Sequence, residues 1–279
     1  THCISSAASD VYKRQVNIEN QELTYEKKHE LNIGAEIGFL NNRINLAVDW
    51  YKRNNYDLIG IINTKGTGGQ LTKLANVASM KSHGIEFTLS TQNIKKKDFS
   101  WNTDFIFSNT KNEVTDLQSN SSVIEMISGS GFALEGYPVR SLFSMDFRGL
   151  NESGYPTFIN EDGNLTVSNI NFQERIKKGH LIYEGPTDPT ITGSFGNSFK
   201  YKNFLLNLFI TYSFGNVIRL DPVFHNQYSD LDAMPREFIN RWTKGGDEKY
   251  TDIPVIADKR ANQQDPYLSY AYNAYNYST

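Results

Sequence analysis

Residues 29–50, HELNIGAEIGFLNNRINLAVDW, decide the fold. Leu31, Ile33, Ala35, Ile37 and Phe39 share one face of an extended chain, and Glu30, Asn32, Gly34, Glu36 and Gly38 share the other. Alternation with a period of two marks a β-strand whose two faces meet different surroundings. Asn41, Asn42 and Arg43 then supply a tight turn, since asparagine tolerates left-handed backbone. Beyond it Ile44, Leu46, Val48 and Trp50 alternate with Asn45, Ala47, Asp49 and Tyr51. Two strands of about ten residues joined this closely form a β-hairpin.

The pattern recurs twice. In residues 81–92, KSHGIEFTLSTQ, Ile85, Phe87 and Leu89 oppose Gly84, Glu86, Thr88 and Ser90. The basic turn NIKKKD returns the chain into FSWNTDFIFS, where Phe99, Trp101, Thr103, Phe105 and Phe107 oppose Ser100, Asn102, Asp104 and Ser108. A third hairpin turns at Lys202 and Asn203. Its second strand sets Phe204, Leu206, Leu208, Ile210, Tyr212 and Phe214 against Asn207, Thr211 and Ser213. The stretches 53–80, 109–188 and 215–279 read as long loops, with a strand extension at Leu58–Ile62 and a short helix in MPREFINRW. An up-and-down sheet with this connectivity puts every short turn at one end and every long loop at the other. Outer-membrane β-barrels have that asymmetry.

Composition narrows the function. A net charge of -3, with one tight basic run at Lys95, Lys96 and Lys97, argues against nucleic acid as a partner. The single cysteine, Cys3, excludes an intrachain disulfide and a paired-cysteine metal site, and the five histidines lack zinc spacing. Gly66, Gly68 and Gly69 are not followed by the lysine and hydroxyl of a phosphate loop. Asn160, Asp162 and Asn164 depart from calcium-loop spacing, and Asp162-Gly163 reads better as a hairpin turn. No cofactor, no metal and no enzymatic activity are expected. Mean hydropathy is -0.52, and no run approaches the ~20 apolar residues of a spanning helix. A barrel escapes that test because its apolar surface hides in alternation. Residues 1–15 carry no strand pattern, and SSAASDVYKRQ resembles translated adapter read-through. They are expected to be a non-native leader, with 16–279 a barrel segment truncated at both ends.

The apolar faces look either at a second sheet or at lipid. Strands in sandwiches average ~5–6 residues, whereas crossing a membrane takes ~9–11. The lengths here are of the second kind. Phe39, Trp50, Phe99, Trp101, Tyr201, Phe204, Tyr212 and Phe214 lie near strand ends, where interfacial girdles form. The reading is an all-β fold, a partial antiparallel transmembrane β-barrel with long extracellular loops. Leu31, Ile33, Ile37, Ile44, Leu46, Val48, Ile85, Phe87, Leu89, Phe105, Leu206, Leu208 and Ile210 face lipid. Glu36, Asp49, Glu86, Asp104 and Asn207 face a wet lumen. In the loops, Tyr155, Phe158, Tyr228 and Trp242 are candidates to stack on a bound substrate. The alternatives are a soluble β-sandwich carbohydrate-binding or adhesion module, which would bury the apolar faces against each other, and a passive porin.

Four stretches resemble the SusC/RagA-like family of TonB-dependent outer-membrane transporters of Bacteroidota. They are YEKKHELNIGAEIGFLNNRINLAVDWYKRNNYDLI, NVASMKSHGIEFTLSTQNIKKKDFSWNTDFIFSNTKNEV, GLNESGYPTFINEDGN and EGPTDPTITGSFGNSFKYKNFLLNLFITYSFGN. Glu184, Thr187 and Ser194 depart from the family's common choices in the last of these. The resemblance covers about residues 23–245, and its specificity lies in the order and spacing of the pieces. It implies a bacterial outer-membrane location and a ~22-stranded barrel around an N-terminal plug. It also implies a TonB-contacting segment outside this stretch, a SusD-like surface lipoprotein as lid, and oligosaccharide or peptide cargo.

Overall fold

The apolar-polar alternation of the three hairpins becomes one continuous sheet in the computed structural model, which describes residues 20, 22–63, 71–118, 121–129, 131–223, 233–256 and 268–278. In chain order the elements are β1 (Lys27–Phe39), β2 (Ile44–Asn63), β3 (Thr72–Lys95), β4 (Phe99–Leu117), helix α1 (Val123–Ile127), β5 (Ser141–Met145) and β6 (Phe147–Leu150). There follow β7 (Pro156–Ile159), β8 (Leu165–Thr166), β9 (Leu181–Pro186), β10 (Ile191–Tyr201), β11 (Phe204–Phe214) and helix α2 (Leu268–Asn276). Two 3-10 turns lie at Arg236–Asn240 and Asp247–Lys249. The first is the helix expected in MPREFINRW, one turn tighter in kind.

Six strands form the wall in the order β1-β2-β3-β4-β10-β11, antiparallel throughout. The turns at 40–43, 96–98 and 202–203 lie at one end. Leu40, Asn41 and Asn42 at the first, and Lys202 at the last, take positive φ, as closing such short connections requires. The links after β2, β4 and β11 leave from the other end.

Three sequence expectations are corrected. Residues 53–80 are not a loop: β2 continues to Asn63 and β3 begins at Thr72, while 64–70, including Gly66, Gly68 and Gly69, lies outside the described residues. Alternation fades after Lys52 because both faces are polar there (Arg53, Asn54, Asn55), yet the backbone ladder continues through a bulge at Asp57, φ 56°. β4 likewise runs to Leu117, into the stretch read as irregular. The remainder of 109–188 and the chain after β11 build a second body, a cap at the long-connection end. Its small sheets are β5-β9 and β6-β7-β8.

All of the clustered core belongs to the cap. Val123, Met126, Ile127, Phe143, Met145, Phe158, Phe238, Tyr272 and Tyr275 are buried together, and no residue of the six wall strands joins them. β1 is exposed along its whole length. A sandwich needs a second layer on the apolar face, and none packs there among the described residues, so the soluble-module alternative is not favoured. The leader expected at residues 1–15 lies outside the described residues.

Candidate functional site

Pairing turns single-strand alternation into rows that cross the wall. Ile37, Leu46, Leu89, Phe105, Phe195 and Ile210 stand opposite one another on six successive strands. Neighbouring rows on that face hold Val48, Phe87, Phe107 and Tyr212, then Ile33, Trp50, Ile85 and Phe214. Ile44 and Leu208 fall in a row nearer the short turns, and Leu206 in the row of Trp101 and Phe199. Leu31, Ile33, Ile37, Ile85, Leu206, Leu208 and Ile210 are between 41% and 62% exposed. Ile44, Leu46, Val48, Phe87, Leu89 and Phe105 are half-buried by neighbours on the same face. The row of Leu31 continues into Lys52, His83 and Lys111, so apolar character stops there. From the row of Phe99 and Tyr201 to that of Trp50 is about ten residues of β4. At ~3.4 Å per residue and a ~40° tilt this is about 25 Å, the height of a lipid-facing band.

The ends of the band carry the aromatics. Trp101 stacks on Phe199 at 5.6 Å near the short turns, and Tyr212 on Phe214 at 5.7 Å near the long links. Asn197 is a polar side chain on this apolar face, and its Oδ1 accepts from Trp101 Nε1 at 2.9 Å and Thr103 Oγ1 at 2.8 Å. A bulge after Gln92 shifts Ile94 onto the apolar face, opposite Trp101. Single-strand alternation cannot foresee either feature.

The opposite face is hydrophilic by rows as well. Gly34, Asp49, Glu86, Ser108, Thr192 and Ser213 form one row, and Glu36, Ala47, Thr88, Ile106, Ser194 and Thr211 the next. Asp104 follows, accepting from Ser90 Oγ at 2.7 Å, and Asn207 pairs with Ser198. Leu205 and Phe209 interrupt this face on β11 and are exposed; Phe209 lies across Gly196.

The three described candidate loop aromatics each pack against other residues of the cap. Phe158 is fully buried against Phe147, 5.7 Å away, and has no face for a ligand. An apolar ring on a short strand is core, which corrects the stacking role expected for it. Tyr155 packs edge-on to Tyr272 at 6.4 Å. Trp242 covers Gly154, where an added Cβ would come within 2.5 Å of its ring, and donates from Nε1 to Glu248 at 3.1 Å. Tyr228 lies outside the described residues. At the Asp162-Gly163 turn, buried Asn160 accepts through Oδ1 from the backbone N–H of Asp162 at 3.1 Å and Asn164 at 2.9 Å. Its carboxamide oxygen is thus spent on a hairpin.

Two clefts flank α2. One, of about 610 Å³, runs beneath the extended segment after β11 and includes Arg219. That guanidinium donates to the carbonyl of Ile127, to that of Phe143 at 2.7 Å, and lies over the ring of Tyr277 at 5.6 Å. Burial lowers its pKa from the ordinary arginine value. The other, of about 480 Å³, is formed by residues 168–173 and Tyr270. The loop reading singled out neither; for the second the available signal was the local alternation of Asn169, Asn171 and Gln173 with Ile170 and Phe172.

Comparison with known proteins bears on both bodies. The family model described as TonB dependent receptor-like, beta-barrel, matches residues 6–233. The TonB-dependent receptor P3 of Formosa agariphila is 24% identical over 96% of this chain and 30% of its own length. The TonB-dependent receptor SusC of Bacteroides thetaiotaomicron is 25% identical over 72% of this chain and 21% of its own. Among solved structures, the RagAB peptide transporter superposes with a TM-score of 0.66 at 24% identity, over 84% of this chain and 26% of that one. The chain therefore spans less than a third of the length of these relatives.

Proposed function

The chain belongs to the TonB-dependent receptor-like β-barrel family, and from that premise we propose that it is one arc of the wall, with part of the outer cap, of an importer. It is an outer-membrane protein. The cargo is an oligosaccharide or a peptide. The energy comes from TonB, acting on a segment of the whole protein outside this chain. A SusD-like lipoprotein seats on the long-connection end, where the cap stands.

The observation that carries this reading is the partition of the wall by register: apolar rows about 25 Å deep on one face, hydrophilic rows on the other. The wall does no chemistry. It supplies a backbone ladder whose outer edges, β1 and β11, pair onward to further strands, because an unpaired edge is not tolerated in lipid. Aspartate, glutamate and hydroxyl groups on the inner face keep water and a polar cargo in contact with the lumen.

Two adjacent substitutions in the full-length gene test it. Leu46 lies in the middle apolar row and Ala47 in a hydrophilic one. Leu46→Arg should cost roughly 2–4 kcal/mol and deplete assembled, heat-modifiable protein in the outer membrane. Ala47→Arg should assemble like the parent. Equal assembly of the two variants would overturn the lipid-facing assignment. Uptake that persists in a strain lacking TonB would make the protein a passive pore.

A further inference from the structure

Residues 168–173, SNINFQ, are nailed to the cap from beneath. Ile170 is 8% exposed and sits in the core, and Phe172 packs against it. The backbone is held at several points: Ile124 N–H donates to Phe172 O at 3.0 Å, Asn160 Nδ2 to Asn169 O at 3.3 Å, and Asn169 N–H to Thr166 Oγ1 at 3.0 Å. With 170 and 172 pointing inward, Asn169, Asn171 and Gln173 are left on the outer side, and all three are exposed. Across the cleft stands Tyr270, held edge-on to Phe172 at 5.8 Å and 40% exposed.

The chemistry of this lining is unusual for the chain. Charged residues make up 21% of the sequence, yet none of the described residues lining this cleft is charged. The described lining therefore offers no counter-ion for a peptide terminus, a uronate or a phosphate. It offers three carboxamides, each both donor and acceptor, beside an aromatic ring. Asn171 Oδ1 accepts from Gln173 N–H at 3.0 Å. The side chains of Asn169 and Gln173 make no hydrogen bond among the described residues. Vicinal hydroxyls need partners that donate and accept at once, and the C–H face of a pyranose packs on an aromatic ring. The other cleft lacks this character: it has charged walls, and the guanidinium of Arg219 already covers Tyr277.

We propose that the cleft between residues 168–173 and Tyr270 is a contact site for a neutral oligosaccharide, with Asn169, Asn171 and Gln173 bonding hydroxyls and Tyr270 stacking on a sugar ring. This rests on the importer reading and chooses between its two cargo classes.

The test uses the purified full-length protein in detergent, titrated by calorimetry with neutral glucans, mannans and xylans, with oligogalacturonate and with a tryptic peptide mixture. A neutral oligosaccharide should bind, and oligogalacturonate and peptides should not. Tyr270→Ala, and separately Asn169→Ala with Gln173→Ala, should each weaken binding about tenfold or more, the equivalent of ~1.4 kcal/mol. Tyr270→Phe should retain it. The side chains of Asn169 and Gln173 make no hydrogen bond among the described residues and alanine keeps their backbone bonds, so their loss reports contact and not collapse. The proposal is overturned if no neutral oligosaccharide binds, if peptides or oligogalacturonate bind in their place, or if binding ignores all of these substitutions. Outer-membrane assembly and TonB-dependent uptake of the variants are measured alongside. Normal assembly and uptake with peptide binding would sink this site and leave the importer standing, whereas failed TonB dependence would sink the importer.

Discussion

Tyr51 lies where the side chain of residue 84 would be. A Cβ on Gly84 would stand 2.6 Å from the Tyr51 hydroxyl and 2.7 Å from the carbonyl of Asn109, while that hydroxyl bonds Thr110 Oγ1 at 2.7 Å. Gly193 repeats the device on the apolar face: its Cβ would strike the Ile106 carbonyl and the Tyr212 hydroxyl, which donates to that same carbonyl at 2.9 Å. Gly84→Val and Gly193→Val should each cost about 1–3 kcal/mol by overpacking, read as a lower temperature for the gel shift of the assembled barrel. Sequence showed Gly84 as a small strand position but not the tyrosine over it, since that side chain sits on the partner strand and depends on register; Gly193 was not singled out. His180 makes a second prediction at this scale. Burial lowers its pKa from 6.5, opposed by Glu161 and Glu174, with Lys177 and Asp146 also near, and its Nδ1 is buried with no hydrogen-bond partner among the described residues. A histidine with a depressed folded pKa favours folding while neutral, so its contribution is lost as pH falls below 6.5. Glu174 accepts three backbone N–H groups, from Ile176, Lys177 and Arg175, and its pKa falls below 4.5. Its contribution is lost later, as pH drops through that lowered value. Amide protection factors over 171–186 should therefore decline in two steps, and His180→Gln should remove the first alone.

Helix α2 shows at the scale of an element what the sequence hid. Leu268, Ala271, Tyr272 and Tyr275 follow the i, i+3, i+4, i+7 spacing of an apolar helical stripe and are all buried. Tyrosine and asparagine are weak helix formers, so the stretch LSYAYNAYN reads as an unfinished strand or a tail unless its burial is known. The three hairpins were legible because each strand carries its environment in its own alternation. The cap was not, because its core is assembled from short elements far apart in the chain (α1, β5, β7, the 3-10 turn at Arg236–Asn240 and α2), each too brief for its period to stand out. The same holds for the neutral cleft, which needs Tyr270 brought beside a segment about a hundred residues earlier in the chain. Tyr272 is 1% exposed and donates to Val255 O at 2.9 Å. Burial raises its pKa and pushes the Tyr275 phenol up to about 12, so both stay neutral donors at any physiological pH. Tyr272→Ala should cost about 3–5 kcal/mol and Tyr272→Phe about 1 kcal/mol. Hydrogen exchange should place the loss in the cap, with β1–β4 protected as before.

Over the whole molecule, wall and cap are stitched on both sides of β10. On the β4 side, Val114 N–H donates to Tyr137 O and Gly136 N–H to Val114 O, each at 2.9 Å. On the β11 side, Val217 N–H donates to Pro186 O at 2.8 Å, and two residues later Arg219 reaches the carbonyls of Ile127 and Phe143. A cap tied at two places on the same arc is seated on the wall and is not free to swing about a single linker. Arg219 holds the second tie by geometry as much as by charge, because a planar fork can serve two carbonyls at once and an ammonium is a single point. Arg219→Ala leaves the Ile127 and Phe143 carbonyls without that donor, at about 1–3 kcal/mol each. Arg219→Lys should recover only part of this. In the full-length protein, amide protection should fall in α1, β5 and the segment 216–222, while β10 and β11 keep theirs, because the wall's ladder does not pass through Arg219. Loss of protection along β10 and β11 as well would mean that wall and cap fold as one cooperative unit, and that the ties transmit strain from the cap into the membrane-spanning strands.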